Sequence, residues 1–149
     1  MVGRRQGVIV NLASHAGVER WPSCSAYAVS KAALIKLTEN LAAEIKDHDV
    51  SVFAFHPGIL TVGMGDAQRY SSLDAISPAQ HRIAAWFRRQ IAEGRAVDAQ
   101  RSVAALMELV SGRYRILSGC YLTVADDFDA LAADADRRGR GFRRLRLSQ

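Results

Sequence analysis

Apolar residues change their spacing several times along the chain, and each change marks an element. Gly7-Val-Ile-Val-Asn-Leu-Ala13 is a nearly unbroken apolar run rich in β-branched residues. A strand buried on both faces of a parallel sheet reads this way. A polar stretch rich in Gly, Pro and Ser runs from Ser14 to Ser25, and the spacing then becomes helical from Ala26 to Lys46. Leu34, Leu37, Leu41 and Ile45 make one apolar stripe on that helix, and Ala28, Ala32, Ile35 and Ala42 make a second. A surface helix needs only one stripe. This helix is therefore expected to pack on a sheet with one side and on a further partner with the other.

Val50-Ser-Val-Phe-Ala-Phe55 is a second buried-type strand, closed by His56-Pro57-Gly58. Strand, helix and strand with short connections form a βαβ unit, for which a right-handed crossover is expected. Ile59 to Ile76 reads as a loop. Ser77-Pro78 starts a helix and Gly94 stops it, because Pro suits the first helical position and Gly the position after the last. Asp98 caps another helix that ends at Gly112. Tyr121-Leu-Thr-Val124 is a third strand, and Asp126 to Asp136 a short last helix. There is no internal repeat.

The order of elements predicts an α/β fold, the C-terminal half of a Rossmann-type doubly wound parallel sheet. Such a sheet is built from two mononucleotide-binding halves, and the chain shows only one. Gly63-Met-Gly65 follows a loop and lacks the third glycine of a G-x-G-x-x-G turn. The dinucleotide-binding half and its phosphate cradle are thus expected to be missing from these residues.

Composition narrows the class. A chain of 149 residues fits one domain. No apolar run approaches the ~18 residues of a membrane helix. The short run behind Arg4 and Arg5 has strand length and no small-residue cleavage pattern, so a cytoplasmic protein is the default. Cys24 and Cys120 are too few and too far apart for a disulfide framework or a zinc site, and reduced thiols are expected. The net charge of +5 belongs to the end of the chain: residues 137–149 carry six arginines and no acid. Without those six, 14 of the 20 basic residues stand against 15 acidic ones. The expected division is a body over 1–136 and an Arg-rich, disordered tail over 137–149.

Tyr27 and Lys31 lie four apart at the start of the long helix, so both side chains share one face. Tyrosine is a poor acid-base catalyst at its ordinary pKa of about 10, and a neighbouring ammonium favours the phenolate. Bringing such a group to neutral pH takes roughly 4 kcal/mol of preferential phenolate stabilisation. The spacing by itself is weak: four tyrosines and three lysines produce one such pair by chance roughly 8% of the time. Ser14 adds to it. It directly follows the first strand, and open α/β sheets bind ligands beyond the carboxyl ends of their strands. There a hydroxyl can hold a substrate carbonyl oxygen, although a turn or capping serine is the ordinary reading.

Gly7-Val-Ile-Val-Asn-Leu-Ala-Ser14, Ala26-Tyr-Ala-Val-Ser-Lys-Ala-Ala-Leu34 and Pro57-Gly58 together resemble the second half of a short-chain dehydrogenase/reductase. The resemblance implies an oxidoreductase that interconverts an alcohol and a carbonyl by hydride transfer with NAD or NADP. It implies Tyr27 as general acid/base and as a cofactor contact, Lys31 on the nicotinamide ribose and beside the tyrosine, and Ser14 on the carbonyl. Pro57, Gly58, Leu60 and Thr61 would border the nicotinamide. A small-molecule alcohol or carbonyl substrate and a homo-oligomer, completed by the N-terminal half, are implied as well. Three departures stand out. Val62 occupies the family's threonine position and Thr61 falls one place early. Ala125-Asp126-Asp127 replaces Asp-Gly-Gly, and the glycine-rich turn, cofactor selector and upstream asparagine have no counterpart.

Two rival readings follow from the same residues. One is an inactive, truncated family remnant serving as an assembly partner. The other is a nucleic-acid-binding protein acting through the arginine tail, with Phe142 as its one aromatic and no recognised nucleic-acid-binding fold behind it. His15 and His56 are further candidates for substrate contact, and Trp21, Met64 and Tyr70 for a pocket lining. Trp86 and Phe87, beside Arg88 and Arg89, read as packing residues.

Overall fold

The β-branched run after Gly7 forms a strand, β1 (Gly7–Leu12), and the run after Asp49 forms β2 (Val50–His56), in a computed structural model that describes residues 1–63 and 77–138. Between them lies α1 (Ser25–Glu44). After β2 come β3 (Ile59–Leu60), α2 (Pro78–Ala92), β4 (Ala96–Val97), α3 (Ala99–Val110), β5 (Tyr121–Thr123) and α4 (Phe128–Arg138). The main sheet has the order β1-β2-β5 and is parallel throughout. Gly7 stands opposite Val50 and Leu12 opposite Phe55, while Ala54 faces Tyr121 and His56 faces Thr123. All three carboxyl ends therefore lie along one edge.

β2 is the strand buried on both faces: Val52, Phe53, Ala54 and Phe55 are essentially inaccessible. Its phenylalanines pack with Leu109 of α3, with Leu117, and with Leu122 of β5. The expectation of two buried faces fails for β1. Val8 to Asn11 are only half-buried and Leu12 is 54% exposed. The physical reason is the sheet order: among the described residues β1 has a strand neighbour on one side only, so one flank of the strand is uncovered.

α1 lays Ile35, Thr38, Glu39 and Ala42 toward the interior. Asn11 of β1 donates through Nδ2 to Thr38 Oγ1 at 2.9 Å, and that hydroxyl donates to the Leu34 carbonyl. The stripe of Leu34, Leu41 and Ile45 is half-buried and Leu37 is more than half exposed. The helix ends at Glu44, two residues before the expected stop, and a single 3-10 turn over Lys46–His48 leads to Asp49 with its left-handed φ of 53°.

Both expected caps form. Ser77 Oγ accepts from the Gln80 amide ahead of Pro78, and Asp98 Oδ1 accepts from the Gln100 amide. Two differences from the expected elements remain. Ile59 and Leu60, expected in a loop, pair in parallel with Ala96 and Val97 as a small second sheet. The last helix begins at Phe128 and runs to Arg138, two residues past the expected end of the body. The arginine tail from 139 onward lies outside the described residues, as do Met64 and Tyr70.

Candidate active site

Ser14 sits where β1 gives out. The Ala13 amide still pairs with the Phe55 carbonyl at 2.8 Å, and Ser14, in extended backbone, then caps a 3-10 turn over His15–Gly17. Its Oγ accepts from the Ala16 amide at 3.2 Å, and its carbonyl accepts from Gly17 at 2.9 Å. The residue is 9% exposed. Gly17 lets this turn lie against α1: a Cβ there would come within 2.7 Å of the Lys31 carbonyl carbon and 2.8 Å of the Ala32 nitrogen. Sequence reasoning passed over this glycine as loop composition, and no local pattern betrays a backbone crossing 14 residues away.

Tyr27 and Lys31 occupy the first turns of α1. Tyr27 is 38% exposed. Lys31 Nζ donates to the Leu12 carbonyl at 2.8 Å and lies 5.5 Å from the centroid of the Tyr27 ring. The last carbonyl of β1 thus anchors the ammonium, and the ammonium neighbours the phenol ring. Ser14 and Lys31 are both tied to the end of β1, and Tyr27 lies near Lys31 one turn earlier on α1.

Pro57 and Gly58 leave the carboxyl end of β2 in a turn that only glycine fits. Gly58 has φ of 86°, and a Cβ on it would meet Val97 at 2.5 Å and Val124 at 3.0 Å. The Ser102 hydroxyl of α3 donates to the Pro57 carbonyl and holds the turn from below. Leu60 belongs to β3, opposite Val97, and Thr61 is exposed just beyond it. Ser102 and Val97 were also missed: a cap at Asp98 places α3 in the chain but not against Pro57.

His15 and His56 find partners in each other and in the sheet. Their ring centroids are 4.3 Å apart, and the Tyr121 hydroxyl lies 3.0 Å from His15 Nδ1. Burial, and secondarily the charge of His15, lowers the pKa of His56 from 6.5 to about 4. No group of three His, Cys, Asp or Glu among the described residues can hold a metal ion. Trp21 packs edge-on against Trp86 at 4.4 Å, Trp86 against Phe87 at 5.0 Å, and Arg82 Nε donates to Ser23 Oγ. α2 is thereby docked onto the segment between Ser14 and Tyr27. The expectation that Trp86 and Phe87 serve packing agrees with these contacts.

The end of β1 thus carries a capping serine and an anchored lysine with a tyrosine ring near its ammonium, and a Pro-Gly turn follows β2. Residues 1–72 match the family of short chain dehydrogenases. A short chain dehydrogenase of Pseudocercospora fijiensis is 32% identical over 146 residues, which is 95% of this chain and 45% of that protein. A 2-(S)-hydroxypropyl-CoM dehydrogenase of Xanthobacter autotrophicus is 41% identical over 66 residues, 44% of this chain and 26% of that one. Among solved structures, an NAD+-bound xylitol dehydrogenase superposes with a TM-score of 0.65 at 26% identity, over 83% of this chain and 49% of that one. An actinorhodin polyketide ketoreductase with NADPH gives 0.64 at 25% identity, over 83% and 48%. The chain belongs to the short-chain dehydrogenase/reductase family. It spans less than half the length of these relatives. No described helix is long and apolar enough to cross a membrane.

Proposed function

We propose that these residues form the substrate and nicotinamide side of an NAD- or NADP-dependent oxidoreductase that interconverts an alcohol and a carbonyl. The Lys31 ammonium carries the reading: it is fixed by the Leu12 carbonyl at the end of β1 and set beside the Tyr27 ring. Open α/β sheets bind ligands at that edge.

The donor set fits a nicotinamide riboside. An ammonium has three N–H donors, and Leu12 takes one, which leaves two for ribose hydroxyls. Ser14 uses an oxygen lone pair on the Ala16 amide, so its own O–H remains to donate to a carbonyl oxygen. Pro57, Gly58 and the backbone of Leu60 border the nicotinamide in this reading, with Thr61 in place of the family's threonine. The cofactor, when bound, supplies or accepts the hydride. In reduction Tyr27 then gives its proton to the substrate oxygen, and in oxidation it takes the proton back. NAD+ is bound in the xylitol dehydrogenase and NADPH in the ketoreductase, and the reading covers either. We further propose a cytoplasmic homo-oligomer, with the face of α1 that carries half-buried Leu34 and Leu41 and exposed Leu37 as its contact.

The test is nicotinamide-linked turnover of a panel of alcohols and ketones by the protein in which this chain occurs. Activity that Tyr27→Phe removes is expected. Turnover that survives both Tyr27→Phe and Ser14→Ala would sink the assignment.

A further inference from the structure

Tyr121 opens β5, and its hydroxyl reaches His15 across 106 positions of sequence. The phenol is 8% exposed, so its hydroxyl needs a partner, and His15 Nδ1 provides one at 3.0 Å. The His56 ring packs on His15 edge-to-face, with 64° between the planes. The main chain of His15 is held too: its carbonyl accepts from the Val18 and Glu19 amides at 2.9 and 2.8 Å. His15 is therefore fixed at ring and backbone, and Ser14 is the residue before it. The next residue, Ala16, gives Ser14 Oγ its amide hydrogen. A displaced His15 would carry that donor away from the serine oxygen.

We infer that Tyr121 is a positioning residue for Ser14: through His15, braced by His56, it fixes the turn whose Ala16 amide orients the serine hydroxyl. This rests on the reading of Ser14 as the group that meets the substrate carbonyl. Tyr121 touches neither cofactor nor substrate in this scheme. Its effect on the reaction passes through one turn, and misplacement by about 1 Å can cost on the order of 10²-fold in rate.

The experiment joins kinetics to NMR. In the full protein, Tyr121→Phe should lower kcat by about 10- to 100-fold with KM nearly unchanged. In a Ser14→Ala background the same change should cost nothing further, because its target is already gone. His15→Gln should reproduce Tyr121→Phe without adding to it, and stands in if the Tyr121 variant misfolds. In the ¹H–¹⁵N spectrum, Tyr121→Phe should move the His15 ring nitrogens and the Ala16 amide, and leave the amides of α3 in place. An additive loss in the Ser14→Ala background, or an Ala16 amide that stays put, would overturn the proposal. If Ser14→Ala itself leaves turnover unchanged, the reading of the site fails, and the Ala16 and His15 signals still decide whether Tyr121 governs the turn.

Discussion

Each residue of the candidate site draws its chemistry from one or two fixed neighbours. Lys31 has a carbonyl for an anchor, Ser14 an amide and Tyr27 an ammonium near its ring. If Tyr27 moves the proton, Tyr27→Phe should lower kcat by about 10²- to 10⁴-fold and barely alter cofactor affinity, as steady-state kinetics beside a binding titration would register. His56 yields a prediction about pH. Its pKa is about 4 when folded and 6.5 as an ordinary side chain, so between these values the unfolded chain binds the extra proton. Its contribution to stability is complete above pH 6.5 and is lost as pH falls toward 4. The slope is at most about 1.4 kcal/mol per pH unit, and less for a ring partly in solvent. Denaturant midpoints measured across this window should fall less in His56→Asn than in the parent.

At the scale of elements, the site depends on contacts between pieces that sequence shows one at a time. Gly17 is the clearest case, because its missing side chain seats the Ser14 turn on the backbone of α1. Gly17→Val should destabilise the protein by about 1–3 kcal/mol, visible as a lower denaturant midpoint, and should weaken any activity more than that loss explains. Gly58→Ala meets both a left-handed φ and Val97, and a cost of about 1–3 kcal/mol is expected in the same measurement. The strands and helices were legible because their periods and caps are local: Val8–Leu12, Val50–Phe55, Ser77-Pro78 and Asp98 each announce themselves. Ser14, Tyr27 and Lys31 were legible as a spacing that resembles a family. What stayed hidden is what arrives from far along the chain. Ser102 beneath Pro57, Tyr121 against His15, and the pairing of Ile59 with Ala96 leave no periodic trace in the sequence. The burial of β1 was misjudged for a related reason, since a strand's sequence does not say how many neighbours it has.

For the whole molecule, the proposed site amounts to a nicotinamide end, and the described residues include no glycine-rich phosphate turn. The 149 residues by themselves should therefore bind NADH or NADPH in the millimolar range or more weakly, against micromolar for a complete family member, a difference of about 4 kcal/mol. Nicotinamide fluorescence during titration of the isolated chain measures this, and saturable micromolar binding lost in Lys31→Ala would reverse it. The half-buried β1, with exposed Leu12 at its end, also leaves a sheet edge able to pair with another chain. Sedimentation of the isolated chain should accordingly show self-association that grows with concentration.

The long reach from His15 to Tyr121 bears on how the molecule comes into being. Bringing together two residues 106 positions apart carries a larger loop-closure cost than the local turn at Ser14 or the pairing of β1 with β2. β1, α1 and β2 can assemble early from neighbouring sequence, whereas the brace on the serine waits until β5 docks. Catalytic competence should then lag behind the gain of helix signal during refolding, and Tyr121→Phe should speed unfolding while leaving the folding rate almost untouched.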